Sequence, residues 1–180
     1  PTEKGTKEFY AEQISEKFGD KKMKRSKDED NKETYYPIKD PDNRDLKMDL
    51  SDKDWYAYEE NFGTTQEKYF LHFLEDAIQN IREEYEEVYL LRNEKFFRIY
   101  RFSDGKAFEP DFVLFLKEKY SENPSIYQIF IEPKGEGFMA NDQWKEDFLR
   151  EIEEEYTLHS LYEDTKYRLI GLQFYNEQET

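Results

Sequence analysis

"DFVLFLKEKYSENPSIYQIFIEPK", residues 111–134, decides the fold. Its two runs, 112–116 and 126–131, are apolar at almost every position. A strand with one wet face alternates apolar and polar residues, whereas one covered on both faces reads as a continuous apolar run. The polar stretch "EKYSENPS" between them suits the loop of an antiparallel hairpin. If Lys117 faces Ile126, the same register sets Asp111 opposite Glu132. Alternation then places Gln128, Phe130, Glu132 and Lys134 on one face and Tyr127, Ile129 and Ile131 on the other.

Charges at the ends of strands buried on both faces ask for a chemical reason. Cross-strand neighbours have Cβ atoms roughly 5 Å apart, close enough for both carboxylates to hold one divalent cation. Without a cation they repel each other. Oxygen-only donors suit Mg²⁺, or Mn²⁺ as a substitute, and not zinc. Such a metal activates water and neutralises charge that develops on a phosphate oxygen. Lys134 is then placed to position or help deprotonate the nucleophile and to offset phosphate charge. The plainer reading is that Asp111 ends the sheet and that Glu132 and Lys134 form a local ion pair.

Outward from the hairpin, "GTTQEKYFLHFLEDAIQNIREEYEE" repeats Phe70, Leu71, Leu74, Ile78, Ile81 and Tyr85 at the 3.6-residue period, which predicts a helix over 64–86. "VYLLRN" and "KFFRIYRF" are β-rich runs joined through "RNEK", and "SDGK" is a turn. "NDQWKEDFLREIEEEY" sets Trp144, Phe148, Ile152 and Tyr156 on a helical face with Asn141 or Asp142 as cap. "YRLIGLQFY" supplies a last strand. The order α, β, β, β, β, α, β predicts an α/β fold, a three-layer α-β-α sandwich with a mixed sheet. Ahead of it, 2–18 has the spacing of a short amphipathic helix and 20–34 the composition of a flexible polar linker. The expected division is an arm over 1–60 and a globular domain over 61–180.

Bulk composition bounds the function. The chain has 180 residues, no cysteine, and 43 acidic against 27 basic side chains for a net charge of −16. Thirty-two aromatics, 15 Phe, 15 Tyr and 2 Trp, build a core from few positions. The acidic field opposes autonomous tight binding to nucleic acid. The lack of cysteine fits a reducing interior, and no apolar run approaches bilayer length. A soluble, cytoplasmic location without membrane contact is expected, and the initial Pro1 points to a piece of a longer polypeptide. No GxxxxGK[ST] phosphate loop is present.

"PD" at 110–111 and "EPK" at 132–134, within this order of elements, resemble the PD-(D/E)XK nuclease superfamily. More narrowly, "LLRNEKFFRIYRFSDGKAFEPDFVLFL" followed by "YQIFIEPKGEGFMANDQWKEDFL" is similar to the C-terminal nuclease domain of the Res subunit of Type III restriction enzymes, over about residues 62–175. The resemblance implies a restriction-endonuclease-like core and Mg²⁺-dependent cleavage of DNA. It also implies a helicase-translocase domain of the parent polypeptide, through which alone ATP would act, and a methyltransferase (Mod) subunit as partner. Asp111 and Glu132 would ligand the metal, the Pro133 carbonyl would complete its shell, and Lys134 would be the catalytic lysine. The family also places a glutamate on the first helix, a role open to Glu67. An alternative for Glu67 is a capping box with Thr64. Gln143 and Lys145 would reach substrate phosphates or be plain surface residues. His72 and His159 have no metal-ligand spacing, and a hairpin turn accounts for Arg92 and Asn93. Two rival functions keep the fold: a non-catalytic acidic docking module, and a phosphodiesterase acting on RNA or branched nucleic acid.

Overall fold

The computed structural model describes residues 8–10, 25–27, 33–35, 47–58, 60–93, 98–119, 124–133, 139–154, 157–159 and 166–172. In chain order the strands are β1 (Glu8–Tyr10), β2 (Arg25–Lys27), β3 (Glu33–Tyr35), β4 (Lys47–Asp49), β5 (Glu60–Phe62), β6 (Tyr85–Arg92), β7 (Ile99–Tyr100), β8 (Ala107–Phe108), β9 (Phe112–Glu118), β10 (Ser125–Ile131), β11 (Thr157–His159) and β12 (Lys166–Leu172). Helix α1 (Thr65–Glu84) precedes β6, and helix α2 (Met139–Glu154) follows β10.

Among the described residues the main sheet has the order β12-β10-β9-β6. β9 is antiparallel to both neighbours and β12 runs parallel to β10, so the sheet is mixed. Ile126 pairs with Lys117 and Ile131 with Phe112, the register read from the hairpin. Strand alternation sends Phe112, Leu114, Leu116 and Ile131 to one face, where Phe70, Leu71, Leu74 and Ile78 of α1 cover them. Val113, Phe130 and Leu169 face the other way, under Phe148, Leu149 and Ile152 of α2. Both faces are thus dry, which is why the runs in the sequence are continuous. The observed fold is mixed α/β, a mixed sheet between two described helices.

Several expectations are corrected. Of the helix foreseen over 2–18 only residues 8–10 are among those described, and they form a strand: Glu8–Tyr10 lies parallel to Thr157–His159, a pairing about 150 residues distant that local periodicity cannot register. Within the presumed linker, Arg25–Lys27 pairs antiparallel with Glu33–Tyr35, because ladder hydrogen bonds require no apolar side chain. Residues 48–58, assigned to the arm, belong to the domain: Met48, Leu50, Trp55 and Tyr56 are buried in the α1-side core. Trp55–Ala57 also extend the sheet beyond β6, since Leu90 N–H donates to Trp55 O at 2.7 Å and Ala57 N–H to Leu90 O at 3.0 Å. β6 does not form a hairpin with β7. Its buried Val88, Leu90 and Leu91 hold it in the main sheet against β9, while β7 pairs with β8. Helix α2 begins at Met139, so Asn141 and Asp142 lie inside it and neither is its cap.

The "SDGK" turn is present, with Gly105 at φ 72°, and it closes the β7–β8 hairpin. The hairpin lays Phe102 and Phe108 edge-on against Phe148, with centroids 5.2 and 6.1 Å away, and so braces α2. At its tip the guanidinium of Arg101, helped by the Lys106 N–H, lowers the Asp104 carboxyl from an ordinary 3.8 to about 2. A carboxyl depressed in the folded state stabilises fully above its unfolded value and loses that contribution as pH falls through the folded one. The carboxyl carbon of Asp104 is therefore expected to titrate near pH 2 by NMR. A midpoint near 3.8 would mean that this tip is open in solution.

Candidate active site

Glu132 follows the last residue of β10. Because Ile131 faces α1 and Phe130 faces α2, Glu132 points to the α2 side, where it is only 1% exposed. A carboxylate this deep must be compensated by hydrogen bonds and positive charge. Its Oε2 accepts the backbone N–H of Asp111 at 3.2 Å, continuing the β9–β10 register past the last ladder pair. Its Oε1 meets Lys145 Nζ of α2 at 2.6 Å. Asp111 is half-buried, and its carbonyl accepts the N–H of Asn93 at 2.8 Å. One residue thereby joins the ends of β6, β9 and β10, and the backbone that carries the two opposed carboxyl groups is tied on both sides.

A second polar cluster forms at the same strand end from the α1 face. Thr64 caps α1, its Oγ1 accepting the N–H of Glu67 at 3.4 Å, so half of the foreseen capping box is present. The Glu67 carboxylate is buried and lies 3.1 Å from Arg92 Nη1 at the end of β6. Arg92 also donates to Asn61 Oδ1 at 2.8 Å, which accepts Tyr56 Oη at 3.0 Å. A Cβ at Gly63 would come within 2.0 Å of Glu67 Oε2, so only glycine leaves the carboxylate its place. Glu67, on α1, and Glu132, turned toward α2, lie on opposite faces of one strand end, each beside its own cation.

Of the residues singled out in the sequence, Asp111 and Glu132 are brought together and Pro133 is buried directly after them. Lys134 lies outside the described residues. Gln143 is exposed on α2, its amide donating to Glu146 and Asp147 at 3.0 and 3.2 Å. Lys145 turns inward to Glu132 rather than outward. His72 is on the exposed side of α1 beside Glu75.

Sequence reading missed two partners. Arg92 was explained as part of a turn, yet it closes β6 and pairs with Glu67. Lys145 stands three and four residues before Phe148 and Leu149 and seven before Ile152. That spacing marks a lysine on the buried stripe of a helix and was the available signal.

The donor set that the register brings to this strand end is the pair of carboxylates of Asp111 and Glu132, with Glu132 already engaged by the Asp111 N–H and by Lys145. It fits a hard divalent cation in chemistry, and Asp111 and Glu132 are the residues that would hold it. Among the described residues no cluster of three or more Asp, Glu, His or Cys side chains is arranged to hold a metal ion.

A mixed α/β sandwich whose central strands end in an opposed Asp and Glu is the class of protein defined by fold and site. The chain belongs to the HI_1054_C family, described as a C-terminal domain, whose model matches residues 3–180. It is 37% identical over 183 residues to a Haemophilus influenzae protein described as an uncharacterized protein, an alignment covering 97% of this chain and 36% of that one. The chain thus spans about a third of the relative's length. No solved structure matches the chain. No helix among the described residues is long and apolar enough to cross a membrane.

Proposed function

We propose that this chain is a metal-dependent endodeoxyribonuclease domain of the PD-(D/E)XK type, with a restriction-endonuclease-like core, acting as the nuclease part of a Type III restriction Res subunit. The observation that carries the reading is the Asp111 N–H to Glu132 Oε2 bond. It sets the Glu132 carboxylate against the backbone of Asp111, at the strand end where the β9–β10 register makes the two residues neighbours. Mg²⁺, when bound, supplies Lewis acidity toward a phosphodiester oxygen and a water of lowered pKa.

The protein's own share is positional. The Asn93 N–H and the β9–β10 ladder fix the backbone of Asp111, and the Asp111 N–H fixes Glu132 Oε2 at the same strand end. Burial of Glu132 excludes water from its oxygens and strengthens their interaction with positive charge. Lys134 is assigned the phosphate-facing ammonium, and Glu67 with Arg92 supports the same strand end from behind. ATP and sequence choice would enter only through a helicase-translocase domain and a methyltransferase subunit. At −16 the chain itself repels duplex DNA.

The test is nicking of supercoiled plasmid at high protein concentration in low salt. Conversion to open circles with Mn²⁺ or Mg²⁺, abolished by EDTA and by Asp111→Ala, is expected. Equal nicking by the Asp111→Ala protein would defeat the assignment. A second reading, a docking module that keeps the fold without the chemistry, is favoured by one observation: Lys145 already neutralises Glu132.

A further inference from the structure

The ammonium of Lys145 lies against the carboxylate that the nuclease reading gives to a metal, and it is bound rather than incidental. Its 2.6 Å contact is with a carboxylate that is 1% exposed, and a carboxylate that deep calls for a charged or hydrogen-bonding partner. The lysine is fixed at its root, because α2 is pinned through Phe148, Leu149 and Ile152 to the sheet and through Trp144 and Phe148 to the β7–β8 hairpin. Its head nevertheless has a route outward. The side chain keeps 21% of its surface in water, and four methylenes would let the ammonium, which lies 5.9 Å from the Phe108 ring centroid as well as against Glu132, swing toward solvent.

We infer that Lys145 is a resident counter-ion of Glu132 which a divalent cation displaces, so that metal loading and release of Lys145 are one event. The inference rests on the nuclease reading given above. Glu132 Oε2 already accepts the Asp111 N–H, so a divalent cation on this carboxylate would compete with the Lys145 ammonium for Oε1. The two cations also repel each other strongly in a buried site. The free chain therefore binds metal more weakly than its carboxylates alone would allow. An anionic phosphate that takes up the displaced ammonium relieves that competition. Metal and phosphodiester then bind cooperatively, and each strengthens the other by the same factor. Lys145 thus suppresses metal binding until substrate is present, and its contact with phosphate follows from its release rather than preceding it.

The test is calorimetric titration of Mn²⁺ into the purified chain, wild type against Lys145→Met and Lys145→Arg, with no DNA present. Lys145→Met keeps the stem and removes the charge, so it should bind Mn²⁺ at least about fivefold tighter. Lys145→Arg keeps the charge and should bind no tighter than wild type. If Mn²⁺ binds the wild type and Lys145→Met equally well, or binds the variant more weakly, the counter-ion role is overturned while the metal site stands. If neither binds Mn²⁺, the nuclease reading fails and takes the inference with it. Should Lys145→Met not fold without metal, Lys145→Gln retains a donor for Glu132 Oε1. Its melting temperature should then rise with Mn²⁺ by more than that of wild type, and an equal rise would overturn the proposal.

Discussion

On the proposed nuclease reading, replacing Glu132 with glutamine is expected to lower Mg²⁺-dependent DNA cleavage by about a hundredfold or more, the scale for removing one preorganised electrostatic group from a reacting centre. The substitution is chosen because it separates chemistry from folding. Glutamine keeps the shape and still offers an oxygen to the Asp111 N–H, so the strand mouth stays closed. What it removes is the negative charge that faces Lys145 and would face a metal. Loss of a charge-assisted contact in a buried site costs about 1–3 kcal/mol, which a domain of ordinary stability survives. Nicking rates should therefore collapse while the circular-dichroism melt moves only modestly. Cleavage by Glu132→Gln at the wild-type rate would show that this carboxylate merely ends a strand.

The second large effect is expected far from the carboxylates. Gly171 of β12 pairs with Phe130 of β10, and a Cβ built on it would stand 1.9 Å from the carbonyl oxygen of Leu149 and 2.5 Å from the carbonyl carbon. The obstacle is helix backbone, which cannot rotate away as a flexible side chain does. Gly171→Ala must therefore push α2 off the sheet, at about 3 kcal/mol or more for overpacking of this kind. The gain from a stiffer unfolded chain is about 0.4–1 kcal/mol, too small to offset the clash. The urea midpoint should fall sharply, and Gly171→Val should give little soluble protein. An unchanged midpoint for Gly171→Ala would mean that α2 does not lie on β12 as described. Because α2 also carries Lys145, a helix lifted at Leu149 loosens the contact with Glu132 as well.

The parts legible in the sequence are those dictated by nearby residues. Phe70, Leu71, Leu74 and Ile78 announce α1 through their spacing, and the unbroken runs of β9 and β10 announce a sheet covered twice. Once Lys117 is set against Ile126, the approach of Asp111 to Glu132 follows from register alone. What escaped depends on partners distant in the chain. Glu8–Tyr10 is a strand only because Thr157–His159 lies beside it. Arg92 and Glu67 are 25 positions apart on different elements, so nothing local shows that one neutralises the other. Lys145 was hidden for a related reason. A lysine on a buried helical stripe makes sense only when a buried acid waits on the facing strand, and Trp144, Phe148 and Ile152 alone already satisfied the helical pattern.

Residues 55–57, hydrogen-bonded along β6, have a practical meaning for anyone who would cut the polypeptide. An unpaired sheet edge invites strands from other molecules, and Trp55 and Ala57 occupy that edge here. Met48, Leu50, Trp55 and Tyr56 also roof the apolar face beneath α1. Burial of a residue such as Leu50 contributes about 1.5–3 kcal/mol, against about 5–15 kcal/mol for a whole domain. A fragment trimmed to begin at residue 61 would give up a large share of its stability and bare a sticky ribbon along β6. Its insolubility would then report on the scissors rather than on the protein.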